Sequence, residues 1–112
     1  MMNPRRGEVW WVSFDPSLGG EIQKTRPAVI VSNNAANAVL NRVVVIPVTS
    51  QTGKIYPAEA LVTINGEQRK AMADQIMTAA KQRLRSKLGV LSGKDILAVE
   101  DAILLHLAIR RA

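Results

Sequence analysis

Hydrophobic and polar positions fall into short strand-like runs along most of the chain and change to a helical period only near its end. Glu8 to Phe14 is rich in β-branched and aromatic residues, and both alternate faces, Val9-Trp11-Ser13 and Trp10-Val12-Phe14, are largely apolar. That pattern predicts an inner strand covered on two sides. Asp15 to Thr25 holds Pro16, Ser17, Gly19 and Gly20, which break regular structure and predict a surface loop ending at Arg26. Ala28 to Ser32 and Val43 to Val48 are short apolar runs between turn-forming residues, with Asn33 to Asn41 between them as a short helix or loop. Gln51 to Pro57, containing Gly53, reads as a second loop. Glu59 to Ile64 alternates, Asn65-Gly66 is a hairpin signal because both residues tolerate positive φ, and Lys70 to Ala73 is the returning strand. So many short antiparallel strands in so few residues predict a small closed or half-closed barrel.

Ser92, with Asp95 three positions on, resembles a capping box and starts a helix expected to reach about Ala108. Ile96, Val99, Ile103 and Leu107 form one apolar stripe, with Leu97, Leu104 and Ala108 beside it. Little polar surface remains beyond Glu100 and Asp101, so one small barrel cannot cover the helix. A second subunit is the economical cover, which predicts a homodimer.

Composition changes this picture in three ways. A chain of 112 residues with 47% hydrophobic residues supports one core and one domain, 1–112. The net charge of +6 and a pI near 10.3 favour polyanionic partners, with Lys81, Arg83, Arg85 and Lys87 in one cluster and Arg5 and Arg6 near the amino end. There are no cysteines, which excludes disulfides, thiolate nucleophiles and cysteine metal sites. Without a signal-like apolar stretch or a run long enough to span a bilayer, the chain reads as cytoplasmic.

Candidate chemistry narrows by subtraction. His106 is the only histidine, and within the last helix it reads as a packed or interface residue. Asp15, Glu21, Asp74, Glu100 and Asp101 lack metal-ligand spacing, so no metal or other cofactor is expected. Arg26-Pro27 opens one apolar strand and Thr49-Ser50 ends another, placing a guanidinium and two hydroxyls where they suit a phosphate.

The ordered set Arg6-Gly7-Glu8-Val9-Trp10-Trp11, Asp15-Pro16, Gly19-Gly20-Glu21, Lys24-Thr25-Arg26-Pro27, Pro47-Val48-Thr49-Ser50, Asp74-Gln75-Ile76 and Arg83-Leu84, closed by a helix, resembles the MazF/PemK family of toxin endoribonucleases. The likeness covers nearly the whole chain. It implies a mainly β fold, a small SH3-like β-barrel with a long C-terminal helix, paired as a homodimer. It further implies a toxin of a type II toxin-antitoxin system that cuts single-stranded RNA without metal, leaving a 2′,3′-cyclic phosphate and a 5′-hydroxyl. The resemblance maps catalysis to Arg26 and Thr49. Because a guanidinium stays protonated, Arg26 is read as stabilising charge and positioning a proton.

Glu21 either orients Arg26 or the substrate hydroxyl, or is a solvated loop charge. Lys24, Ser50, Lys54, Lys81 and Arg83 are expected to contact RNA, and Gln75 either reads a base edge or belongs to a structural turn. Gly20 and Met77 depart from the serine and arginine common in the family. The expected partners are RNA and an acidic cognate antitoxin, with no membrane. Two other functions fit the same features: a gyrase-poisoning toxin of the same fold and a noncatalytic nucleic-acid-binding module.

Overall fold

The computed structural model describes residues 3–14 and 24–110. The elements run β1 (Glu8–Phe14), β2 (Lys24–Ile30), α1 (Asn34–Val39), β3 (Arg42–Thr49), β4 (Glu59–Ile64), β5 (Glu67–Met72), a 3-10 turn (Ala73–Gln75), β6 (Met77–Ala80), a second 3-10 turn (Lys81–Arg83), β7 (Leu84–Val90) and α2 (Gly93–His106). The described residues build one antiparallel sheet ordered β4-β5-β3-β2-β1-β7, with β6 paired to the opening half of β3.

Local chemistry accounts for most of these elements. Asn65 and Gly66 take φ of 52° and 83°, the positive values a two-residue hairpin turn needs, and they set the β4-β5 register at Ile64↔Glu67. Asn33 caps α1 by accepting from the Ala36 N–H at 2.8 Å, and Ser92 caps α2 by accepting from the Asp95 N–H at 3.1 Å. The Asp95 carboxylate accepts instead from the Thr63 backbone N–H in β4 at 2.8 Å, so the half of the capping box expected from Asp95 fastens helix to sheet. β6 and β7 have no clear alternating signature. Arg85 and Lys87 belong to β7, an edge strand whose charges face water.

The sheet is not closed into a barrel, which corrects the expectation of a closed one. Its pairing ends at β4 on one side and β7 on the other. The two ends meet at a turn: the Asn65 amide donates to the Leu88 carbonyl at 2.9 Å. A Cβ on Gly89 would stand 3.1 Å from Asn65 Oδ1. Contact at a hairpin tip leaves no length of backbone for a closing ladder.

Two apolar layers hold the molecule together. Val9, Val29, Ile46, Val62 and Ile64 on one sheet face pack with Leu91, Val99 and Ala102 beneath α2. Val12, Ala28, Ile30, Val43 and Val45 on the other face pack with Ala79, Leu84 and the partly buried Trp10 and Phe14. Because β6 pairs with the outer edge of β3 and β7 with that of β1, the chain between them must cross this second face, which closes it. Each such Val or Ile is worth about 1.5–3 kcal/mol relative to exposure.

Candidate active site

β2 begins at Lys24, so Arg26 sits within a strand and not at the end of a loop. It pairs with Val12 of β1, and its side chain is exposed. On the other side, β2 pairs with β3 as Ile30↔Val45, Val29↔Ile46 and Ala28↔Pro47. Continuing that register by two residues sets Arg26 opposite Thr49, the last residue of β3. Paired residues of antiparallel strands project to the same face, about 4.5–5.5 Å apart at Cα where the ladder holds. The ladder stops where Pro27 and Pro47 remove N–H donors, leaving the two strand ends free to part around a ligand.

The donors at this point are available. Among the described residues, Arg26 makes no ion pair with any carboxylate. Thr49 Oγ1 accepts from the Gln51 N–H at 3.2 Å, which leaves the hydroxyl hydrogen free to donate elsewhere. A guanidinium and a hydroxyl facing each other can bind two oxygens of one phosphate.

The neighbouring strands extend this row. Val12, the β1 partner of Arg26, pairs on its far side with Leu84. Arg83, the preceding residue, donates from Nη1 to the Ser13 carbonyl at 3.1 Å. Lys24 is exposed on the same face of β2 as Arg26. Beyond Thr49 the row reaches Lys70 of β5. Ser50 and Lys54 are exposed in the segment that follows β3, and the Lys54 ammonium lies 5.1 Å from the centre of the Tyr56 ring.

Other sequence candidates lie further off. Gln75 is exposed in the first 3-10 turn, its amide 3.5 Å from Met72 Sδ, and Met72 shares the face of Lys70. The Lys81 backbone N–H bonds to the Asn41 carbonyl, next to the start of β3, whereas Thr49 ends that strand. The ladder therefore does not set Lys81 beside Thr49. Glu21 lies outside the described residues. His106 is exposed in the last turn of α2 although it falls on the stripe of Val99 and Ala102, so it is not packed within the chain and of its two readings the interface one stands.

Sequence reasoning missed the Glu59–Lys70 ion pair, 3.2 Å long with both side chains 11% exposed. A signal existed: counting outward from the Asn65-Gly66 turn places Glu59 and Lys70 as diagonal neighbours on one face of the hairpin. Glu8 is a second paired acid, away from the row. Burial alone would raise its carboxyl, but hydrogen bonds from the Trp10 indole, the Arg5 N–H and the Lys87 ammonium, with the Lys87 charge, outweigh that and hold it below its ordinary 4.5. Among the described residues no three histidine or carboxylate side chains gather as a metal site would need. No described helix is long and apolar enough to cross a membrane.

The chain and its fold are similar to those of proteins already known. The family model described as "PemK-like, MazF-like toxin of type II toxin-antitoxin system" matches residues 5–107. The endoribonuclease MazF9 of Mycobacterium tuberculosis is 42% identical, over 92% of this chain and 95% of its own length. A solved endoribonuclease from a mycobacterial species superposes with a TM-score of 0.83 at 25% identity, over 100% of this chain and 98% of that one. A second, solved in complex with its cognate antitoxin, superposes with a TM-score of 0.80 at 26% identity, over 97% and 99% of the two chains. The likeness spans both the strands that carry Arg26 and Thr49 and the closing helix, and the protein belongs to the PemK-like, MazF-like toxins of type II toxin-antitoxin systems.

Proposed function

We propose that the whole chain, 1–112, is one toxin domain that cuts single-stranded RNA in the cytoplasm and so arrests translation. It is an endoribonuclease, as its relative MazF9 is named. What supports the mechanism is a β2-β3 register that, continued two residues past Ala28↔Pro47, runs from Arg26 to Thr49, with no ion pair to Arg26 among the described residues and a Thr49 hydroxyl hydrogen free to donate. A ribose 2′-hydroxyl attacks the adjacent phosphorus, the 5′-oxygen leaves, and the products are a 2′,3′-cyclic phosphate and a 5′-hydroxyl. The barrier lies in the charge that builds on the phosphorane oxygens. Arg26 stabilises that charge with a bidentate fork, and Thr49 adds a hydrogen bond to the same oxygens.

Lys24, Ser50, Lys54, Gln75, Lys81 and Arg83 serve as RNA contacts, with the cations following the backbone. Glu21 orients Arg26 or the attacking hydroxyl. No metal is required, because the fixed cation supplies what a Lewis acid otherwise would. Cleavage of a long single-stranded RNA in the presence of chelator tests this reading, with cyclic-phosphate ends and spared duplex as the expected result. Strict dependence on added magnesium, or 3′-hydroxyl ends, overturns it.

The partners follow from the same surface. A cognate antitoxin with an acidic segment would set carboxylates on the cations and displace RNA, as salt-sensitive competition; the similar mycobacterial endoribonuclease is solved with its antitoxin. A second copy of the chain would cover the apolar surface that α2 leaves open, where Leu97 is 57% and Leu105 58% exposed. A groove of about 700 Å³ lined in part by Val31, Val44, Ile103 and Leu104 adjoins it.

A further inference from the structure

A buried ion pair stands one strand away from Thr49, and the proposed chemistry does not use it. Lys70 is the cross-strand partner of Thr49 and is only 9% exposed, although lysine seldom leaves water unless paired. Its ammonium lies 3.2 Å from Glu59 Oε1 and donates to the Lys54 carbonyl at 3.0 Å. The same carboxylate oxygen accepts from the Tyr56 backbone N–H at 2.8 Å. Lys70 and Glu59 thus fasten the far end of the segment between β3 and β4. Its near end is fastened by Thr49 itself, through the Gln51 N–H. Tyr56 stands 53% exposed in that segment, with the ammonium groups of Lys54 and Lys70 5.1 and 5.9 Å from its ring centre. At such distances a cation is attracted to the ring face.

We infer, resting on the nuclease reading above, that Lys70 is a positioning residue for substrate selection. It clamps the segment 51–58 through Glu59 and the Lys54 carbonyl, so that Tyr56 stands as a stacking platform for an unpaired base beside the phosphate held by Arg26 and Thr49. An aromatic ring accepts the π-face of any base, so selection comes from where the ring is held. Lys70 does not touch the RNA; its ammonium is spent on Glu59 and Lys54.

Lys70→Met keeps the stem and removes the charge, Lys70→Arg keeps the charge, and Tyr56→Ala removes the platform at a position that lies outside both apolar layers. Two readouts are combined: native trypsin digestion followed at the Lys54–Ile55 bond by fragment mass, and kcat, KM and cleavage-site sequence on a pool of single-stranded RNAs. Lys70→Met is expected to be cut at Lys54–Ile55 severalfold faster than the parent, since Lys70 bonds the Lys54 carbonyl, and to raise KM at the preferred site about tenfold, the scale of one lost base-stacking contact. Its kcat should change little and its site preference should broaden, while Lys70→Arg restores both readouts. Tyr56→Ala should show the same rise in KM and the same broadening.

Parental digestion of Lys70→Met at Lys54–Ile55 overturns the clamp. Faster digestion with unchanged KM and site preference, or a parental Tyr56→Ala, overturns its role in selection. A parent protein that cuts no RNA refutes the nuclease reading and the substrate half of this one, while the digestion still decides whether Lys70 holds the segment.

Discussion

The proposed chemistry rests on a single side chain: along the row Lys70, Thr49, Arg26, Val12 one guanidinium makes no ion pair among the described residues. Arg26→Ala is expected to slow RNA cleavage on the order of a hundredfold or more, as loss of a charge-stabilising donor does. Its melting temperature should stay near the parental value, since the exposed side chain contributes nothing to either apolar layer. Arg26→Lys should restore little, because an ammonium lacks the fork. Cleavage by Arg26→Ala at the parental rate would remove Arg26 from the chemistry.

Glu8 gives a prediction of opposite kind, in stability and not activity. Its folded carboxyl titrates below 4.5 despite burial, so its stabilising contribution is complete above the unfolded value and is lost as pH falls through the folded one. Urea midpoints measured from pH 6 down to pH 3 should fall more steeply for the parent than for Glu8→Gln. Parallel curves would show that the Lys87 and Trp10 contacts carry no net stability.

At the scale of elements, the meeting of β1 with α2 turns on one glycine. Gly7 has φ of +91°, and a Cβ there would stand 2.8 Å from Ile96 Cδ1 of the helix. Its N–H donates to the Ile30 carbonyl and its carbonyl accepts from Leu91, so the backbone cannot turn to relieve the contact without breaking both bonds. Gly7→Ala should cost about 1–2 kcal/mol from the unfavourable φ, with Ile96 Cδ1, the far end of a flexible side chain, swinging aside, read as a lowered denaturant midpoint. An unchanged midpoint would mean that the backbone at this position relaxes from its positive φ without loss of either bond. The α2 cap was legible in the sequence as Ser92 with Asp95, but the Asp95 carboxylate went to β4 and not back to the cap. Residue spacing cannot say which of two nearby N–H groups a carboxylate will reach.

For the whole molecule, the question is what covers the outer side of α2. Val99 and Ala102 are buried against the sheet, while Leu97, Leu105 and Leu107 remain 57%, 58% and 47% exposed. Clustered apolar exposure on so small a protein marks an interaction face. The protein is expected to sediment as a dimer at micromolar concentration, and replacing Leu97 and Leu105 together by glutamate should shift it towards monomer. A parental protein that sediments as a monomer would leave the helix face to another partner.

By itself the sequence determined what depends on neighbours along the chain. The Asn65-Gly66 turn, the strand of Glu59 to Ile64, the Ser92 cap and the apolar stripes of α2 were all readable because turn chemistry and periodicity act over a few residues. Arg26 and Thr49 could be picked out by residue type and by resemblance to a family. Tertiary structure alone decided that the β2-β3 register, continued two residues past Ala28↔Pro47, runs from Arg26 to Thr49, and that the ladder itself ends at that last pair. It decided too that the sheet stops at a hairpin tip without closing, and that Lys70 is buried against Glu59 when its neighbours Glu67, Gln68 and Arg69 make it look solvated. Those outcomes depend on which strand lies beside which, a choice made by packing the two apolar layers as a whole and not encoded in any short segment.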